Sequence, residues 1–400
     1  MMRGLVLAGA LFLCPPSDLA AQDFHVADSI VASGIRLGIY PGAVLIVGRK
    51  DTVLHQAGFG HFTWRTNSPA PTPDSTLWDL ASLTKVVGTT GAIMRLVEDR
   101  RIELDTPVVR YLPRFSGGDR GRVTVRMLLD HSSGLPSYVE FFKLAPTRDS
   151  AISLLYATPF RRKPGTAAEY SDLNFLLLGL LVERVSGEPL DGFVERNVLA
   201  PAGMRQARYR PPRSVAARTA PSSQRGGRPV CCVVNDQNAA RIGGAAGHAG
   251  LFSTGSDLAR YARLWLNEGA LDGHRVFLSG TIRAFLSPDS AGATRLLGWE
   301  RPPSALTADP CHRPEGSVLS PAPGCSAPRL DSAYGSLLSP GSYGHTGWTG
   351  TLIWVDPARD LFLILLTNRT YAPRVRNSIR ALRAVRGALA DAVVHTTDPR

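Results

Sequence analysis

A serine and a lysine three residues apart, Ser82 and Lys85, open an apolar stretch in Trp78-Asp-Leu-Ala-Ser-Leu-Thr-Lys-Val86. Residues at that spacing on a helix are neighbours, so the hydroxyl and the amine can meet. Of 45 basic residues only four are lysine (Lys50, Lys85, Lys143 and Lys163), leaving 45 − 4 = 41 arginines. A lysine kept inside an apolar run therefore points to work that a guanidinium cannot do. A buried ammonium can give up its proton, whereas arginine effectively cannot. The chemistry implied is covalent catalysis, with a serine activated by a neighbouring base. Two further short patterns follow in order, Tyr170-Ser-Asp172 and Gly344-His345-Thr346-Gly347. Each alone is common. Their order and their match to the expected elements make the set specific.

Those elements can be read from periodicity. Asp28 to Leu37 has a helical pattern, Gly42 to Gly48 reads as a strand, and Thr52 to Gly58 returns as a second strand. Ser82 to Glu98 places Leu83, Val86, Val87, Met94 and Val97 at helical spacing. Val123 to His131, Leu173 to Ser186 and Asp257 to Asn267 read as further helices, the second closed by Gly187. Thr351–Asp356 and Leu361–Asn368 form a hairpin, and about Arg374 to Val394 is a last helix. Strands lie at both ends and helices between them. The fold class expected is α/β of the α+β kind: one antiparallel sheet built by both termini, flanked by terminal helices, with a mainly helical subdomain inserted. The boundaries expected are 22–80 with 340–398 for the sheet part and 81–298 for the helical part. Residues 299–339 read as a Pro/Ser/Gly-rich surface insertion within a single 22–398 domain.

The three patterns together resemble the penicillin-recognising serine hydrolases: serine β-lactamases, D-alanyl-D-alanine carboxypeptidases and related esterases. The resemblance is greatest to the class C β-lactamase branch, where the second motif begins with tyrosine. Leu128-Leu-Asp-His-Ser-Ser-Gly-Leu135 supports the family likeness, and Gly247-His-Ala-Gly-Leu-Phe-Ser253, with Asn235-Asp-Gln-Asn-Ala239 before it, resembles a subgroup related to penicillin-binding protein 4B. The resemblance implies Ser82 as nucleophile, Lys85 and Tyr170 as proton-handling partners, and no cofactor or metal. It implies an oxyanion site from the backbone N–H groups of Ser82 and Trp348. Asp172, Asn174, His345, Thr346 and Gly347 fall at its substrate-binding positions. An ammonium beside Tyr170 would favour phenolate and lower its pKa. Two departures stand out. Asp172 replaces an asparagine and, when ionised, only accepts hydrogen bonds, leaving Asn174 as donor or as a structural residue. His345 replaces a lysine and would read a substrate carboxylate only when protonated, near neutral pH. Both argue against efficient β-lactam hydrolysis. His248 is read as bracing a glycine-rich turn and His131 as packed. Asp236 and Asn238 either line the cleft or tie a loop.

Composition bounds the rest. With 44% hydrophobic and 20% charged residues the chain has an ordinary globular make-up, and its net charge of +12 comes from scattered arginines. That argues for a solvated face and against nucleic acid as partner. Residues 1–21 read as a signal peptide: Arg3, the apolar run Leu5–Leu13, and Leu19-Ala20-Ala21 as cleavage site. No segment reads as a membrane span, and Cys14 follows the wrong residue for a lipid anchor. A periplasmic or secreted protein is expected. There Cys311 and Cys325 would bridge, while Cys231 and Cys232 either form a strained vicinal bridge or pair elsewhere. The function expected is hydrolysis of a peptide or ester bond by a small-molecule or peptide hydrolase. The rivals are a D-alanyl-D-alanine carboxypeptidase on cell-wall peptides, a β-lactamase, and a non-catalytic penicillin-binding or sensing protein.

Overall fold

The structure is a computed structural model and describes residues 22–288, 295–302 and 333–398. The leader, Cys14, Cys311 and Cys325 lie outside the described residues. The sheet has five strands: β1 (Gly42–Gly48), β2 (Val53–Gly60), β3 (Tyr343–Thr346), β4 (Leu352–Asp356) and β5 (Leu361–Thr367). Their order is β3-β4-β5-β1-β2, and every pairing is antiparallel. As expected, the two chain ends build one sheet.

β1 and β5 are buried along their whole length. They are continuous apolar runs because both faces of the sheet are covered. Alternation along a strand sends successive side chains to opposite faces. Thus Val44, Ile46, Ile364 and Leu366 enter one core, while Ala43, Leu45, Val47, Leu363 and Leu365 enter another. The second core is closed by α1 (His25–Arg36) and the long C-terminal helix Ser378–Thr397. The first is shared with the helical part of the chain.

In that part, α2 (Gly91–Glu98) continues a π-helical turn, Lys85–Thr90. α3 is Asp172–Ser186, closed by Gly187 in the left-handed conformation. α4 is Gly255–Leu266, packed on β1, β4 and β5, and α5 is the C-terminal helix Ser378–Thr397. No helix among the described residues is long and apolar enough to cross a membrane.

The third motif lies on β3: Tyr343–Thr346 pairs with β4, His345 facing Ile353 in register. One reading needs correction: surface does not begin at Trp299, which is fully buried against Trp265 and Tyr343, with ring centroids 4.9 and 5.2 Å away. Glu300 follows it and exchanges backbone hydrogen bonds with Gly344 at 2.8 and 2.9 Å.

Candidate active site

Ser82 sits in the turn that leads into the Lys85–Thr90 helix, half-buried at the floor of a cleft of about 760 Å³. The residue before it, Ala81, has φ 48°, a left-handed conformation that costs a non-glycine residue on the order of 1 kcal/mol. Such strain is kept where the surroundings over-determine it. The carbonyl oxygens of Asp79 and Leu80 accept the hydroxyls of Thr349 (2.7 Å) and Thr351 (2.9 Å). These bonds tie the nucleophile turn to the segment after the third motif. Gly347 makes this approach possible: a Cβ there would stand 2.6 Å from the Leu80 oxygen.

Two side chains converge on the Ser82 hydroxyl. Lys85 Nζ lies 3.0 Å from its Oγ, and the Tyr170 hydroxyl donates to it at 2.8 Å. Lys85 is fully buried, with Nζ also on Asp172 Oδ1 (2.6 Å) and the His248 carbonyl oxygen (3.1 Å). Burial lowers the Lys85 pKa, and Asp172 opposes that shift. Tyr170 behaves contrary to the sequence expectation. Burial first, and Asp172 next, raise its pKa well above the ordinary value, so it is a phenol that donates. The ammonium does not turn it into a phenolate because both groups are desolvated and a carboxylate lies beside them.

The remaining expected residues divide. Asp172, His345, Thr346, Gly347 and Trp348 all line the cleft with Ser82 and Tyr170. Asn174 does not. It is fully buried, accepts the Ser133 hydroxyl at 2.6 Å and has its amide nitrogen 3.4 Å from His131 Nδ1. It is a structural residue here, and the donor role expected for it has no access to the cleft. His131 is packed as expected, its ring 4.8 Å from that of Tyr170.

His345 is buried too, and that burial lowers its pKa to about 4, with Lys85 and Arg295 adding to the shift and Glu300 opposing it. The expectation of a cationic imidazole near neutral pH is therefore corrected: His345 is neutral there. Its Nδ1 lies 2.8 Å from the Thr346 carbonyl oxygen and its Nε2 is 3.9 Å from Glu300. The nearby permanent cation is Arg295, which pairs with Glu300 at 2.7 Å and lies 5.3 Å above the Tyr170 ring. Burial alone would raise the Glu300 carboxyl, but Arg295, His345 and the Tyr334 hydroxyl hold it at about 2. Arg295, Glu300 and Tyr334 carried no motif; the first just precedes the irregular 299–339 stretch and the other two lie within it, so periodicity gave no sign of them.

On the opposite wall, His248 Nε2 meets Asp236 Oδ1 at 2.9 Å. Asp236 also caps the short helix Gln237–Arg241 through the Ala239 N–H, and Asn238 bonds Val139 and Phe142. Of the two alternatives, Asp236 does both, while Asn238 ties a loop. Asp172, Asp236 and His248 have ligand atoms within 4.8 Å of one another. They are already paired, to Lys85 and to each other, so a cation there would have to displace an ammonium. Cys231 and Cys232 are unbridged, their Sγ atoms 3.4 Å apart.

Two amides complete the floor. The backbone N–H groups of Ser82 and Trp348 have no acceptor among the described residues. The exposed Trp348 is held by Arg369, whose guanidinium lies 4.5 Å over the indole and donates to the Trp348 carbonyl oxygen at 3.0 Å.

Comparison with known proteins identifies the family and the fold. N-acetylmuramyl-L-alanine amidase of Bacillus subtilis (strain 168) is 31% identical over 391 residues, 89% of this chain and 83% of the relative. An Escherichia coli (strain K12) protein, provisionally named a D-alanyl-D-alanine carboxypeptidase, is 28% identical over 368 residues, 84% of this chain and 80% of that one. Among solved structures, a penicillin-binding protein homologue from Caulobacter crescentus superposes with TM-score 0.65 at 20% identity, covering 92% and 97% of the two chains. A class C beta-lactamase superposes with TM-score 0.67 at 20% identity, covering 92% and 95%. The profile of the Beta-lactamase family matches residues 28–387. The chain is a serine hydrolase of the Beta-lactamase family.

Proposed function

We propose that the protein, after export, hydrolyses a peptide or ester bond through an acyl-enzyme on Ser82. The observation that carries this reading is the Ser82 Oγ held between Lys85 Nζ at 3.0 Å and the Tyr170 hydroxyl at 2.8 Å. Serine needs a base to become a nucleophile, and a desolvated lysine is one. Ser82 Oγ bonds to the substrate carbonyl carbon as its proton passes to Lys85, acting in the amine form toward which burial shifts the Asp172-paired ammonium. The developing oxyanion lies on the Ser82 and Trp348 N–H groups, fixed dipoles that need no rearrangement. When the tetrahedral species collapses, the bond to the leaving amine or alcohol breaks. The leaving atom takes the proton back from Lys85 by way of the Tyr170 phenol. Water then attacks the ester, loses its proton by the same route, and frees Ser82.

An amide substrate of cell-wall type is favoured over a β-lactam. The two curated relatives above are named for amide-bond cleavage on such material. Where β-lactam-hydrolysing relatives hold a lysine, this chain has a buried, neutral imidazole. Export rests on the reading of residues 1–21 as a leader.

The test is intact-mass analysis after a fluorophosphonate, a penicillin, a D-alanyl peptide and a chromogenic ester. An adduct on the Ser82 peptide, with ester turnover lost in Ser82→Ala, is the expected result. Ester hydrolysis retained above a few per cent in Ser82→Ala would sink the assignment. An adduct with no turnover on any of them would make this a sensing protein.

A further inference from the structure

One buried carboxyl behind the Ser82 turn is used by no step above. Asp79 is 3% exposed, three residues before the nucleophile. Both its oxygens accept backbone N–H groups: Oδ1 from Ala81 at 2.9 Å and Oδ2 from Asn235 at 2.6 Å. The first bond fixes the left-handed Ala81 and so the direction of the next amide, that of Ser82. The second reaches across to the opposite wall. There Asn235 leads directly into Asp236, which holds the His248 ring at 2.9 Å, and the His248 carbonyl oxygen takes Lys85 Nζ at 3.1 Å. The contacts close a circuit behind the nucleophile: Ser82, Lys85, His248, Asp236, Asn235, Asp79, Ala81 and back.

We infer that Asp79 is the positioning residue that locks the nucleophile turn to the wall carrying the acceptor of Lys85, fixing both the Ser82 N–H and the Lys85 amine. A carboxylate suits this place because it accepts two N–H bonds and donates none, whereas a carboxamide of the same shape must turn an NH₂ group toward one of those donors. Burial pushes the Asp79 carboxyl up to about 6, the two N–H bonds opposing this and Asp236 adding to it, so at neutral pH it is ionised as the circuit requires.

The inference rests on the acyl-enzyme reading, and Asp79→Asn tests it in the full-length protein. Active sites are counted by mass from the fluorophosphonate adduct on Ser82, and kcat is expressed per counted site. A misplacement of about 1 Å at reacting groups can cost on the order of 10²-fold. The expectation is a fall of about that size in kcat per site, with KM within about threefold. Affinity for a boronic acid, which mimics the tetrahedral oxyanion, should fall in parallel, while affinity for the product acid holds. A merely structural aspartate would lower the count of active sites and the thermal midpoint but leave kcat per site unchanged, and that result overturns the inference. So does a fallen kcat with undiminished boronate affinity. Should Asp79→Asn fail to fold, Asp79→Ser, smaller and keeping one acceptor, is expected to show the same split. Absence of any Ser82 adduct in wild type would instead overturn the acyl-enzyme reading beneath it.

Discussion

At the scale of single residues, the site turns on which groups can hold or release a proton once buried. Lys85 is fully buried and its pKa is lowered, while Tyr170 is raised. In the proposed mechanism these shifts suit the amine as base and the phenol as donor. Lys85→Arg should be nearly as damaging as Lys85→Ala, because a guanidinium keeps the charge but cannot take up a proton. A near-normal kcat in the arginine variant, measured on a chromogenic ester, would make Lys85 only an electrostatic prop. His345 gives the second prediction. With its pKa near 4 it does not titrate between pH 5.5 and 8, so kcat/KM profiles for an anionic and a neutral ester should run parallel there. The same shift is a stability statement. The unfolded imidazole binds a proton below about 6.5 and the folded one only below about 4, so stability is full above 6.5 and is lost as pH falls through that window. The size is on the order of 3 kcal/mol. Asp79, raised to about 6, works in the opposite sense over much of the same window. Urea midpoints of wild type and His345→Gln should therefore converge as pH falls from 6.5 to 4; equal slopes would show that His345 is not protonated on unfolding.

At the scale of elements, three separate pieces bring the site together: the turn before the Lys85 helix, the start of α3 and the end of β3. The helix does not begin with regular turns. Its π-helical turn at Lys85–Thr90 gives a wider spacing where the lysine must reach Asp172 and the His248 carbonyl. Regular apolar spacing could not distinguish that turn from an α-helical one. The junction between β3 and the nucleophile turn depends on Gly347. A methyl group there would meet Thr351 Oγ1 as well as the Leu80 oxygen. Gly347→Ala should push the Trp348 amide away from Ser82 and lower kcat on the order of 10²-fold, the cost of losing one oxyanion donor. Steady-state kinetics with unchanged circular dichroism would check it; wild-type kcat would show that the two segments part without cost.

At the scale of the whole molecule, the sheet separates two cores with different duties. One carries the helical part of the chain; the other joins α1 and α5 across the sheet. Leu389 is fully buried in the second. Leu389→Ala should cost about 2–5 kcal/mol of stability through lost burial and the cavity left behind. It should leave kcat/KM of the folded enzyme unchanged, since Leu389 itself does not line the cleft. Urea unfolding with kinetics below the transition tests both halves, and a large kinetic loss would mean that the far core tensions the site.

The sequence by itself determined the antiparallel sheet made by both termini, and it singled out Ser82, Lys85 and Tyr170, whose side chains the fold brings into hydrogen-bond contact. Apolar periodicity and three short patterns are local properties, and local properties survive in one dimension. Wherever a residue's role depended on what packs around it, only the tertiary structure could decide. Asn174 and Asp172 sit two residues apart, yet one turns into the protein and the other into the cleft. His345 lost its charge, and Tyr170 kept its proton, because burial removed the water that fixes their ordinary pKa values. Trp299 and Glu300 head a proline-rich stretch but belong to the core and the cleft wall. Asp79 stood in plain view beside the nucleophile, but its meaning required Asn235, distant in the chain, to arrive at its second oxygen.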